Sequence, residues 1–278
     1  MKPTTRIDLN RTCLRTLAAC LAGLMLLITG ACVTPTTYST HDPSIVSVAR
    51  AKRDLGIDYL AGRRTAMAIR HLTASLELDQ GDPLTHTWLG EAYRRKGHAE
   101  KAEGFLVEAL EIAQAIENDL AAQDARLSLS ALLSQMGRFE DSLEHCEVLS
   151  RDPTYSTPWR PLSNCGWAMM KLGRNGEARQ YFEEALDFFP RFAPALLNLG
   201  ILEAEEGHRL AAIKFLDRAL ASRRLNGSGH AEANYRLGEI YVALGRRDKA
   251  VEHFSVSAKI APDRDWGSES QAYLDLLH

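Results

Sequence analysis

One spacing recurs six times along the chain and leaves it few folds to choose from. A Leu-Gly pair, or a near equivalent, is followed seven residues later by a glycine, five residues on by an alanine, and four further on by an apolar residue. Leu199-Gly200…Gly207…Ala212…Leu216 and Leu237-Gly238…Gly245…Ala250…Phe254 are the clearest copies. Each position has a physical reason. The first Gly and the Ala let two antiparallel helices approach closely. The second Gly ends the first helix, and a proline such as Pro262 stops the second. One helix pair cannot bury its own apolar face, so neighbouring pairs must stack into a solenoid with a concave groove.

This spacing is similar to the tetratricopeptide signature, a helix-turn-helix unit of about 34 residues. The resemblance implies an all-α, right-handed superhelical solenoid of six units closed by a short C-terminal cap. Aligned on the Leu-Gly position, the units start near residues 49, 83, 123, 159, 193 and 231 and fill residues 46–264. Tyr59 and Tyr93 are expected to pack the helix pairs of the first two units, with Ala68 and Ala102 at the close contact. The third unit is degenerate, with Ser130 for Gly, Ser142 for Ala and Cys146 for the usual aromatic. Extra residues near Ile116 to Ala122 are expected to lengthen a helix, and Asn226-Gly227-Ser228-Gly229 to loop out before the sixth unit. Residues 265–278 form the expected cap, with a short helix over 268–278 whose Ala272, Leu274 and Leu277 cover the end of the stack.

The start of the chain does not belong to that scaffold. Lys2, Arg6, Arg11 and Arg15 precede an apolar run from Leu17 to Ile28, too short for a permanent membrane span. A basic start, a short apolar run and small residues after it mark an export signal over residues 1–31. Thr29-Gly30-Ala31-Cys32 resembles a bacterial lipobox, with Thr29 where Leu is usual. That resemblance implies diacylglycerol on Cys32, cleavage before it, and acylation of the freed amine. Ordinary secretion with cleavage near Ala31 is the alternative. Residues 32–45, rich in Thr and Pro, read as a tether, and several acyl chains on one residue suffice for stable anchoring. Val33 is not the Asp that usually retains such lipoproteins at the inner membrane, so an outer-membrane location facing the periplasm is expected.

Loss of Lys2, Arg6, Arg11, Arg15 and Asp8 with the signal would move the formal net charge from −3 to −6. No basic stripe remains, which disfavours nucleic acid as a partner. Arg63-Arg64, Arg223-Arg224 and Arg246-Arg247 are placed at turns. No histidine pair has metal-ligand spacing, and no glycine-rich phosphate loop is present. The chain reads as a scaffold with no catalytic residue, metal, cofactor or small-molecule substrate. Beyond Cys32, the exported chain keeps Cys146 and Cys165, both at apolar helix positions. A buried thiol pair is the expectation, and a disulfide between adjacent units the alternative in an oxidising compartment.

Between the third and fourth units the chain reads Asp152-Pro153-Thr154-Tyr155-Ser156-Thr157-Pro158-Trp159-Arg160, an extended connector. Here it resembles the pilotins, lipoproteins that assemble type IV pilus secretins, a family that includes PilF, PilW and Tgl. Family members share the order of lipobox, tether and six units, and a junction run matched at Asp152, Pro153, Tyr155, Pro158, Arg160, Leu162, Asn164 and Gly166. The resemblance implies a non-enzymatic outer-membrane lipoprotein that helps secretin subunits localise and multimerise, and hence supports pilus assembly and motility. The alternative is an adaptor that recruits a peptidoglycan hydrolase or an outer-membrane protein assembly component. Groove-facing positions of units four to six are occupied by Trp167, Met170, Leu197, Ile201, Tyr235 and Val242, an apolar set suited to an amphipathic segment. Arg50, Arg53, Glu91 and Arg94 make the N-terminal end more polar. The Lys and Asn pattern that clamps a C-terminal carboxylate is absent, since Ile57 follows Arg53 at its second position.

Overall fold

The computed structural model describes residues 42–263 and 265–277. The signal segment, Cys32 and most of the expected tether lie outside the described residues. Thirteen α-helices follow one another, and no strand occurs among the described residues. They pair as α1 (Pro43–Ala61) with α2 (Thr65–Leu76), α3 (Pro83–Arg95) with α4 (Ala99–Ala115), and α5 (Asp119–Gln135) with α6 (Phe139–Ser150). The second half repeats this with α7 (Trp159–Lys171) and α8 (Asn175–Phe188), α9 (Ala193–Glu205) and α10 (Arg209–Ala221), and α11 (Gly227–Ala243) and α12 (Arg247–Ile260). A last helix, α13 (Asp265–Leu277), follows.

The repeat spacing acts through one steric fit. A Cβ placed on Gly56, Gly90, Gly166, Gly200 or Gly238 would sit 2.5–2.8 Å from a side-chain carbon of Leu72, Leu106, Phe182, Leu216 or Phe254 respectively. In every case the large residue lies sixteen positions after the glycine, on the second helix of the pair. The degenerate third unit obeys the same rule in reverse. Ser130 fills the glycine position, and the residue sixteen later is the small Cys146. The buried serines satisfy each other, since Ser142 Oγ donates to the Ser130 carbonyl at 2.7 Å and Ser134 and Ser142 hydroxyls meet at 2.8 Å. The alanines of the pattern, including Ala68, Ala102, Ala178, Ala212 and Ala250, are fully buried.

Enlarging those alanines must push the helices apart. Ala178→Leu or Ala212→Leu is expected to lower stability by about 1–3 kcal/mol through overpacking, whereas Glu183→Leu on an exposed surface should be nearly neutral. Equal melting temperatures for all three variants would contradict this register.

Helix ends follow local chemistry. Asp42 and Asp82 cap α1 and α3, their carboxylates accepting from Ser44 N and Leu84 N, with Pro43 and Pro83 in the first turn. Gly97, Gly137, Gly173, Gly207 and Gly245 turn between paired helices at positive φ. In the first pair that position falls one residue past Gly62, and Arg63 adopts φ 57° instead.

Several boundaries differ from the sequence reading. Helix α1 begins at Pro43, because the Asp42-Pro43 cap starts it before residue 46. The extra residues near 116–122 do go into longer helices, but two share them, α4 and α5 running to 17 residues each. Asn226-Gly227-Ser228-Gly229 does not loop out. Asn226 caps α11 by accepting from Gly229 N at 2.7 Å, so the glycines form its first turn. The cap helix starts at 265, and Leu274 is buried while Ala272 is exposed.

Cys146 and Cys165 form a disulfide with 5.7 Å between their Cα atoms, which corrects the expected thiol pair. It joins α6 to α7 across the proline-containing junction. Tyr155 staples the same junction, packing with Leu127 and Leu149. The Asp152 carboxylate accepts from Thr154 N, Thr154 Oγ1 and Gln123 Nε2, and the Thr154 hydroxyl and amide bonds lead in holding it below the usual carboxylate range.

Candidate protein-binding groove

The first helix of each pair touches the first helix of the next, whereas no second helix touches another second helix. Helices α1, α3, α5, α7, α9 and α11 therefore form the inner, tighter layer, and the concave face is theirs. A hollow of ≈ 400 Å³ opens on that face across α3, α5, α7 and the start of α9. Trp88, Leu127 and Phe192 give it apolar surface. Glu91, Arg94, Arg95, Asp124, Arg160 and Asn164 give it charge and hydrogen-bonding groups.

Glu91, Arg94 and Arg95 are fixed rather than loose. Arg94 holds Glu91 through Nε and Nη2 at 2.8 and 2.7 Å, and Arg95 Nε donates to the same carboxylate at 2.9 Å. Arg95 also donates to the Leu60 carbonyl at 2.9 Å, and Arg94 reaches Gln135 at 3.1 Å. Burial alone would raise the Glu91 carboxyl, but the two guanidiniums outweigh it and the group ends below the usual carboxylate range. Asp124 behaves oppositely. Its surroundings in the hollow push its carboxyl up, and Arg160 pulls it back only in part. Asn164 Nδ2 donates to Ser130 Oγ at 2.7 Å, tying α7 to α5.

Arg160, Asn164, Trp167 and Lys171 recur at three- and four-residue steps on α7 and share one face. The Trp167 ring, half-buried, continues the stripe beyond the hollow with the Lys171 ammonium 4.3 Å from its centroid. Further along, burial raises the Glu232 carboxyl on α11, with Arg236 and Lys171 opposing. Val242 is exposed.

The other groove candidates are core residues. Met170, Leu197, Ile201 and Tyr235 are all buried, at 8%, 7%, 2% and 6% exposure. Leu197 lies under the first turn of α11, where a Cβ on Gly229 would come 3.4 Å from its Cδ2. Tyr235 is covered by the cap, with Trp266 and Tyr273 ring centroids at 5.2 and 6.1 Å. That burial, together with Glu269 and Glu239, pushes the Tyr235 hydroxyl upward. The hollow thus lies nearer the N-terminus than the sequence reading placed it. Of the junction run, Arg160 and Asn164 line it, while Asp152, Pro153, Tyr155 and Pro158 shape the connector behind it. Asp124 and Trp88 were missed. Their only sequence signal is the helix-A register, which they share with structural residues.

Glu203, Glu206 and His208 also converge, with His208 Nδ1 2.9 Å from Glu203. The Arg179 guanidinium pairs with both carboxylates, so the acidic charge there is already compensated.

Models of the tetratricopeptide repeat match residues 53–114, 159–192 and 197–265, more than half of the chain. The chain belongs to the tetratricopeptide-repeat family. No curated protein matches it in sequence. Among solved structures, it is similar to PilW, a widely conserved type IV pilus biogenesis factor, at 22% identity and a TM-score of 0.67. That match covers 80% of this chain and 97% of PilW. PilF of Pseudomonas aeruginosa matches at 20% identity and a TM-score of 0.65, over 83% of this chain and 99% of PilF. A chain of the Cut9–Hcn1 hetero-tetramer of the APC/C reaches a TM-score of 0.67 at 18% identity, but only 42% of it is covered. These likenesses are of fold. Among the described residues, no helix is long and apolar enough to cross a membrane.

Proposed function

We propose that this tetratricopeptide protein is an outer-membrane lipoprotein scaffold that helps type IV pilus secretin subunits localise and multimerise. The observation that carries the reading is the junction run: Arg160 and Asn164 of that run line the concave hollow, and Tyr155 fixes the connector that presents them. The likeness to PilW and PilF over nearly their whole lengths, and the lipobox at Cys32, support it. An acyl anchor on Cys32 confines the scaffold to the membrane and raises its effective concentration beside membrane-bound partners. The hollow then takes a secretin segment whose apolar side chains pack on Trp88, Leu127 and Phe192 while its polar groups meet Asp124 and Arg160. Holding such a segment shields surface that would otherwise associate in the wrong register.

Affinity purification from crosslinked cells, with the partners identified by mass spectrometry, tests this directly. A secretin among the partners is the expected result. A peptidoglycan hydrolase or an outer-membrane assembly component in its place would overturn the secretin reading and favour a recruiting adaptor. The anchor has its own check. A palmitate analogue should label the wild type and leave Cys32→Ala unlabelled and out of the membrane fraction, and equal labelling of both would remove Cys32 as the acylation site.

A further inference from the structure

The two ends of the stack are finished differently. At the C-terminal end α13 lies over α11 and α12, placing Trp266 and Tyr273 against Tyr235. At the N-terminal end α1 is the first described helix, and its side away from the second repeat is apolar and exposed. Ile45, Val48 and Leu55 lie on one face of α1 and are 40%, 49% and 41% exposed. Tyr59 continues that face, with the Arg64 guanidinium 4.5 Å from its ring centroid.

Charge singles out the same end. Lys52 lies on that face of α1, Arg63 and Arg64 follow at its C-terminal turn and Arg70 is exposed on α2, whereas Arg50 and Arg53 line the opposite side with Asp79 and Asp82, Arg53 pairing with Asp82 at 2.9 Å. The chain as a whole is acidic, at −3. Position adds a third observation. Nine residues separate Cys32 from Asp42, so even fully extended that link spans only on the order of 30 Å.

We infer that the exposed face of α1, with Lys52, Arg63, Arg64 and Arg70 beside it, docks on an anionic lipid surface. Apolar side chains on one helix face sit at the boundary between headgroups and acyl chains, and Lys and Arg around them are attracted to lipid phosphates. A short apolar stripe alone is a weak membrane ligand, and basic residues alone are screened by salt. The first repeat combines both. A covalent anchor sets how far the solenoid lies from the membrane, and a docked α1 also sets which way its concave face points. The setting in the cell rests on the attachment proposed at Cys32, but lipid binding by the repeat itself does not.

Residues 42–278 form one compact unit and lack Cys32, so they test the docking apart from the anchor. Their co-sedimentation is measured at low salt with vesicles of phosphatidylglycerol and phosphatidylcholine in equal parts, and with phosphatidylcholine alone. Retention is expected to be about ten-fold or more stronger on the anionic vesicles. Lys52→Glu combined with Arg70→Glu should reduce it by about ten-fold or more. Val48→Glu combined with Leu55→Glu should also abolish retention, with circular dichroism unchanged because both side chains are exposed. Equal retention on both vesicle types, or retention unaltered in both variants, would overturn the proposal. So would a concentration-dependent dimer, without vesicle binding, that Val48→Glu with Leu55→Glu dissolves, since the face would then belong to a second copy. A wild-type protein that is not acylated in cells leaves all these outcomes readable.

Discussion

Phe254→Ala is expected to cost about 3–5 kcal/mol, the largest loss from any single substitution considered. Phe254 is completely buried. Its ring fills the space left by Gly238, stacks on Tyr273 at 4.6 Å and contacts Tyr235 at 5.9 Å. One side chain therefore joins α11, α12 and the cap. Truncating it leaves a cavity and removes the surface on which α13 rests, so hydrogen exchange should quicken in α11 to α13 before the other repeats respond. Val256→Ala, on the exposed side of α12, should change denaturant stability by less than about 0.5 kcal/mol. The glycine supplies an internal control. Gly238→Ala should clash with Phe254 in the wild type but be better tolerated beside Phe254→Ala, a coupling that a double-mutant cycle measures. Additive effects would show that the two residues are not in contact.

The second large effect is expected at the disulfide. Cys146 and Cys165 are 19 residues apart, and closing a loop of that size stabilises by about 3 kcal/mol in the chain-entropy model. Dithiothreitol leaves both side chains in place and removes only the bond. Reduced protein should therefore unfold at lower urea than oxidised protein, with the loss concentrated in α5 to α7. Identical midpoints would mean that the connector and Tyr155 hold the junction unaided.

The fold was legible because its rule is steric and local. A glycine opposite a Leu or Phe sixteen residues later cannot be satisfied by many arrangements, and the pattern survives even where Ser130 and Cys146 exchange the large and small roles. The disulfide was not legible, because two apolar positions near each other in a stack carry thiols or a bond equally well. The first turn of α11 was missed because glycines normally argue against helix, and the Asn226 cap outweighed them. The groove was only partly legible. Helix register identifies the inner face, and it placed Trp167 there on the same stripe as Arg160 and Asn164. It does not say which inner residues the neighbours cover. Leu197 is lost under Gly229 and Tyr235 under α13, contacts between elements that no periodicity reveals.

The proposed grip of the concave face on secretin subunits is tested most directly at Trp167. Trp167→Ala in the full-length protein should leave the helical circular dichroism and the membrane fraction unchanged, because the ring is only half-buried. Trp167 extends the hollow's stripe along α7, and losing an aromatic hot-spot contact typically costs about 2 kcal/mol or more, so heat-resistant secretin multimers should fall and secretin monomers accumulate in cells carrying the variant. Wild-type multimer levels supported by a folded, membrane-attached Trp167→Ala protein would contradict the account.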